Sequence, residues 1–216
     1  MVETLSREVA IEPAQAALLV VDVQNFCGRR DGGEYKTLDP ETLDARYGYY
    51  FRQLETVALP SMQRLIAACR QRRIEVLYTV IESLTRDGRD RSLDYKITGF
   101  HVPRGSWDGK VLDEIAPAED EIVLPKTSSS VFISTNIDYL LRNLGIRQLM
   151  ICGVCTDQCV ESAVRDACDL GYLVTLATDA CATHSQERHD NTLRAIKGYC
   201  RQRTTDQLIE ELTPVD

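Results

Sequence analysis

Residues 147–177 read RQLMICGVCTDQCVESAVRDACDLGYLVTLA, and this stretch decides the fold. Arg147 to Cys152 is a short apolar run that ends in a turn, the pattern of a buried strand. From Asp157 to Gly171, the residues Val160, Ala163, Val164, Ala167 and Leu170 follow helical spacing, and Gly171 closes the helix. Tyr172 to Ala177 returns to an apolar run. Strand, helix and strand in so short a span read as a βαβ unit, which joins two parallel strands.

The same alternation extends outward. Ala16 to Val23 (AALLVVDV), Ile74 to Val80 (IEVLYTV) and Glu121 to Pro125 read as further strands. Leu54 to Arg73, with Pro60 near its start, reads as a helix, as do Thr135 to Gly145, Ser185 to Tyr199 and Asp206 to Leu212. The expected fold is α/β: a mostly parallel, doubly wound, Rossmann-like sheet covered by helices on both faces. Two long polar segments interrupt the alternation. Residues 28–51 hold Tyr35, Tyr47, Tyr49 and Tyr50, and residues 82–110 hold His101 and Trp107. Both are expected to be loops that cover a site.

The chain has 216 residues, which suits one domain over 1–216 with residues 1–15 as an N-terminal extension. Hydrophobic residues make up 44% and charged residues 27%, ordinary for a globular protein and unlike a disordered or collagen-like chain. With 25 Lys+Arg against 33 Asp+Glu the net charge is −8, a poor match to a nucleic-acid backbone. No apolar stretch approaches the roughly 18 residues of a membrane span. The N-terminus, MVETLSREVA, lacks a signal-peptide pattern, so the expected location is cytoplasmic. Eight cysteines then read as buried thiols rather than a disulfide framework, with at least one free to do chemistry.

In a parallel sheet, ligands bind beyond the carboxyl ends of the strands. There the sequence places Asp22 after the first strand, Lys126 after the third, and the run Gly153-Val154-Cys155-Thr156-Asp157-Gln158-Cys159 after the fourth. A carboxylate, an ammonium and a thiol from three strands should converge on one edge. A helix's first turn and Lys126 would both lower the Cys159 pKa. Asp22 could take the thiol proton and pass it to a leaving amine. The backbone N–H groups of Cys155 and Cys159 could hold an oxyanion. Gln24, Phe26, Tyr35, Trp107 and Phe132 are candidates to line the pocket, while Asn25 and Thr156 suit turn or cap positions. Arg86, Arg89 or Arg91 could pair a substrate carboxylate.

The stretches ALLVVDVQNFC, LPKTSSSVF and GVCTDQCVESAVRDACDLGY resemble the isochorismatase-like cysteine hydrolases. The resemblance runs from about Ala16 to Leu212. It implies a three-layer αβα fold and a catalytic triad of Asp22, Lys126 and Cys159. It also implies a cis peptide at Val154–Cys155 that aims the Cys155 N–H at the oxyanion. Where a small Ala, Ser or Thr is usual, this chain has Cys155.

Within that family, nicotinamidases carry an Asp-x-His pair and a further His for a metal. The histidines here, His101, His184 and His189, form no such pair. No metal and no cofactor is therefore expected. Isochorismatases that cleave a vinyl ether typically lack the nucleophilic cysteine. Cys159 thus favours hydrolysis of a small amide, with carbamoyl or ureide compounds foremost. Relatives also suggest a homo-oligomer, a dimer or tetramer.

Other readings are weaker. Cys152-x-x-Cys155 with Cys159 lacks a second suitably spaced pair for zinc, and a redox CxxC would open a helix rather than straddle a strand end. A non-enzymatic small-molecule binding module lacks any phosphate-binding glycine motif. His184 and His189 read as solvated on a polar helix face.

Overall fold

The computed structural model describes residues 5–33 and 35–213. Of the expected N-terminal extension, residues 1–4 lie outside the described residues. Ile11 is buried, and Glu8 reaches Arg203 at 2.6 Å.

The strands are β1 (Ala16–Val21), β2 (Glu75–Ile81), β3 (Ile122–Lys126), β4 (Gln148–Val154), β5 (Leu173–Ala182) and β6 (Arg201–Arg203). They form one parallel sheet in the order β3-β2-β1-β4-β5-β6. The helices are α1 (Asn25–Gly28), α2 (Pro40–Gln53), α3 (Leu59–Gln71), α4 (Leu93–Ile97), α5 (Val131–Ser134), α6 (Ile137–Asn143), α7 (Glu161–Asp169), α8 (Gln186–Ile196) and α9 (Thr205–Leu212). α3 and α9 pack together against β2 and β5, while α7 packs on β4 and β5 beside α5 and α8. Every residue of the central strands β1 and β4 is buried, as strands covered on both faces require. The strand order reverses between β1 and β4, and such a reversal opens a crevice at the carboxyl edge.

Gly153 fixes how closely those two strands approach. Its φ is +128°, and a Cβ there would lie 2.2 Å from the Val21 carbonyl oxygen. A side chain at this position would push β4 away from β1, directly behind the crevice.

Several expected elements change. Residues 28–51 are not a loop: α2 occupies Pro40–Gln53. Asp39 caps it by accepting from Thr42 N at 2.9 Å, and Pro40 supplies a preset φ in the first turn. Its buried face is Leu43, Tyr50 and Phe51, a helical spacing carried mostly by aromatics. The helical path continues through a π turn, Leu54–Ala58, into α3. Pro60 therefore sits within a long helical run rather than near its start. It offers no N–H to the Thr56 carbonyl, and the ladder widens by one residue just ahead of it.

Residues 82–110 are largely irregular but contain α4, capped by Ser92, which accepts from Tyr95 N. The helix expected over Thr135–Gly145 is α6, and the short α5 precedes it. β5 runs on to Ala182 through a register shift opposite Ile151 and Gly153. β6 has no apolar run to announce it. It is an edge strand, and its first residue, Arg201, is buried because its guanidinium pairs with Glu211 at 2.8 Å. Among the described residues, no helix is long and apolar enough to cross a membrane.

Candidate active site

Asp22 follows β1 in the left-handed region, at φ +57°. Its conformation is held from both sides. Its N–H donates to the Thr79 carbonyl at 3.1 Å, and its carbonyl accepts from Cys27 Sγ at 2.9 Å. The Thr79 hydroxyl donates to Asp22 Oδ1 at 2.7 Å. The other oxygen, Oδ2, faces Lys126 Nζ at 2.8 Å.

Lys126 is the last residue of β3, and its side chain is 0% exposed. Its ammonium, with three protons for four acceptor neighbours, also lies 2.7 Å from the Ser128 carbonyl, 3.2 Å from the Tyr95 hydroxyl and 3.4 Å from Cys159 Sγ. Cys159 lies on a π turn, Thr156–Val160, that leads from β4 into α7. The three residues singled out at strand ends are thus brought together. Strand polarity explains it: parallel strands deliver all their carboxyl ends to one edge. The Val154–Cys155 peptide bond is cis.

The electrostatics differ from the expectation of a lowered thiol pKa. Burial dominates and pushes the Cys159 thiol up to about 12; Lys126 pulls it down and Asp22 pushes it up again. The resting sulfur is therefore a thiol beside an ion pair. Burial also disfavours the charge on Lys126, but its acidic neighbours, the Asp22 carboxylate foremost, outweigh it and hold the ammonium above its usual range.

Asp22 and Cys159 open onto a cavity of about 650 Å3. Phe26 and Tyr35 line it, as the sequence suggested. Gln24, Trp107 and Phe132 lie outside the lining. Gln24 is fully buried and spent on backbone: its amide donates to the Ile81 and Asp108 carbonyls and accepts from Ile81 N. Trp107 is 48% exposed on a single helical turn whose carbonyl accepts from Asn25. Phe132 stacks on Tyr172, 6.1 Å between centroids.

The arginines also change. Arg86 and Arg89 border a separate surface hollow, and Arg91 is spent on the Gly88 and Phe100 carbonyls. The cations on the cavity are Arg46 of α2 and Arg188 of α8. Arg188 is held by Asp157 at 2.5 Å, whereas no ion pair engages Arg46 among the described residues.

His184 and His189 are not solvated. Because β5 reaches Ala182, it delivers His184 to the cavity, beside the rings of Tyr50 and Tyr47 at 5.2 and 5.6 Å. His184 Nε2 lies 3.7 Å from Cys155 Sγ, and His189 Nδ1 lies 3.0 Å from Thr156 Oγ1. Burial lowers the pKa of both imidazoles.

The residue most easily overlooked is Tyr95, which touches both Lys126 and Cys159 from the irregular 82–110 segment. Its only sequence signal is an aromatic three residues after a helix-capping serine. Cys27 lines the cavity too. Among the described residues the eight cysteines are free, and no group of three or more His, Cys, Asp or Glu side chains could hold a metal ion.

Comparison with known proteins agrees with this architecture. Residues 16–207 match the model of the isochorismatase domain. The chain is 30% identical over 188 residues to ureidoacrylate amidohydrolase RutB of Serratia proteamaculans, covering 80% of this chain and 71% of that protein. A cysteine hydrolase structure from Pseudomonas syringae superposes with a TM-score of 0.78 at 23% identity, covering 98% of each chain, a likeness of fold. N-carbamoylsarcosine amidase of Thermoplasma acidophilum superposes with a TM-score of 0.67 at 25% identity, covering 89% of this chain and 97% of that one.

Proposed function

This chain belongs to the isochorismatase family, and from that premise we propose that it hydrolyses a small amide, a carbamoyl or ureide C–N bond, through a covalent cysteine intermediate. The observation that carries the reading is the position of Lys126 Nζ, buried 2.8 Å from Asp22 Oδ2 and 3.4 Å from Cys159 Sγ, behind the two residues, Asp22 and Cys159, that line the cavity. Relatives named for ureidoacrylate and for N-carbamoylsarcosine support the substrate class.

In this proposal Asp22 takes the proton from the Cys159 thiol as the sulfur attacks the amide carbon. A buried thiol with a raised pKa suits such coupled transfer, because no free thiolate need accumulate. Lys126 stays protonated and faces the new thiolate. The C–S bond forms, and the carbonyl electron pair moves to oxygen, where the N–H groups of Cys155 and Cys159 hold it. Collapse breaks the C–N bond, and the leaving amine collects the proton from Asp22. Water then attacks the thioester-like carbon and gives a proton to Asp22. The C–S bond breaks, and the proton returns to Cys159.

Phe26 and Tyr35 present apolar walls, and Arg46 and Arg188 offer charge to an anionic substituent of the substrate. The test is ammonia release from a panel of small ureides, carbamoyl compounds and simple amides, for wild type and Cys159→Ala, with and without chelator. Turnover that is insensitive to chelator and lost in Cys159→Ala is expected. Full turnover by Cys159→Ala would overturn the reading.

A further inference from the structure

The Tyr95 hydroxyl is buried between the two groups that matter most, 3.2 Å from Lys126 Nζ and 3.9 Å from Cys159 Sγ. An ammonium has donors only, so at Lys126 the hydroxyl must accept. Its single proton is left over, and the sulfur lies within reach. We propose that Tyr95 is a hydrogen-bond donor to the Cys159 thiolate as it forms, relaying the attraction of Lys126 to the sulfur while keeping its own proton.

Three features hold the hydroxyl there. Tyr95 sits in α4, whose capping Ser92 accepts from Tyr95 N at 3.2 Å. Ser92 N in turn donates to the Thr127 carbonyl at 2.8 Å, next in sequence to Lys126. The Tyr95 ring packs against Phe100 with centroids 5.5 Å apart. The 82–110 segment is thereby tied to the end of β3, and one of its side chains completes the surroundings of the sulfur. Burial raises the phenol's pKa, so Tyr95 remains a donor throughout the neutral range.

The other titratable groups around Cys159 are Lys126 from β3, Asp22 from the end of β1, Cys27 from α1 and Cys155 from the end of β4. Burial holds the Cys27 and Cys155 thiols protonated. Among these neighbours, Lys126 and Tyr95 alone can stabilise negative charge on Cys159.

The inference bears on turnover only if Cys159 is the nucleophile, but its test needs no substrate. Iodoacetamide is neutral, and its alkylation rate at Cys159, followed by peptide mass spectrometry, reports thiolate formation directly. In Tyr95→Phe the rate should fall about tenfold at both pH 8 and pH 9, the loss expected for one hydrogen bond to a charged group. A rate equal to or above that of wild type overturns the proposal, because a merely structural tyrosine would loosen the site and expose the sulfur. Near-UV circular dichroism checks the fold, and Tyr95→Met repeats the measurement if the phenylalanine variant does not fold. Tyr78→Phe loses a hydroxyl that bonds to Arg70 and should alkylate at the wild-type rate. A slowed alkylation in Tyr95→Phe would stand even if the amide panel showed no turnover, so the two failures are distinguishable.

Discussion

The Thr79 hydroxyl donates to Asp22 Oδ1 at 2.7 Å, and this leaves Oδ2 to face the Lys126 ammonium at 2.8 Å. Thr79 belongs to β2 and Asp22 to the end of β1, so the pairing of two neighbouring strands sets the orientation of the carboxylate. Thr79→Val keeps the shape of the side chain and removes the donor. It should destabilise the fold by about 1–3 kcal/mol, the usual cost of orphaning a buried polar group. Urea denaturation measures that loss. Turnover should fall more than the folded fraction does, because the carboxylate is then free to rotate.

Cys159 should alkylate slowly at neutral pH and faster at every step upward. Its pKa, raised to about 12 by burial, leaves little thiolate at pH 7. The iodoacetamide rate should climb about tenfold per pH unit between pH 7 and pH 9 without a plateau. A plateau below pH 9 would contradict the buried-thiol description.

Lys126→Met removes one partner of a buried ion pair and leaves the Asp22 carboxylate uncompensated. Such losses cost about 3–5 kcal/mol, visible in the chemical denaturation midpoint. In the variant that folds, alkylation of Cys159 should be slower than in wild type, since the group that lowers the thiol pKa is gone.

Arg46 should matter for substrates that carry an anionic group and not for neutral ones. Arg46→Ala is expected to raise KM for a carboxylated ureide by about tenfold with kcat unchanged, as loss of uniform binding does. A neutral amide of similar size should show the same KM in both proteins. Steady-state kinetics on matched pairs of substrates decide it.

Two half-buried imidazoles make the fold acid-sensitive. His184 and His189 have folded pKa values below their unfolded ones, because burial disfavours the cation. Between the folded and unfolded values the unfolded chain binds more protons, so stability rises with pH there. The loss of stability should therefore be seen as lower urea midpoints on going from pH 7 to pH 5. The double variant His184→Gln, His189→Gln should show a flatter profile over the same range.

Strand and helix types were legible wherever periodicity lay within one element, as in β1, β4 and α7. The placement of Asp22, Lys126 and Cys159 at three strand ends was legible too, because a parallel sheet gathers those ends. β6 was hidden: it is three polar residues, Arg201–Arg203, stabilised by pairing with β5 and by Glu211. α2 was hidden because tyrosines carry much of its apolar face.

The sequence by itself determined the α/β architecture and the edge where an acid, an ammonium and a thiol meet. These follow from short-range patterns and from the direction in which βαβ units must run. The tertiary structure alone decided the burial that keeps Cys159 protonated, the contact of Tyr95 with Lys126 and the arrival of Arg46 and His184 at the cavity. Each depends on packing between segments far apart in the chain, and desolvation is a property of the assembled surroundings rather than of any residue in them.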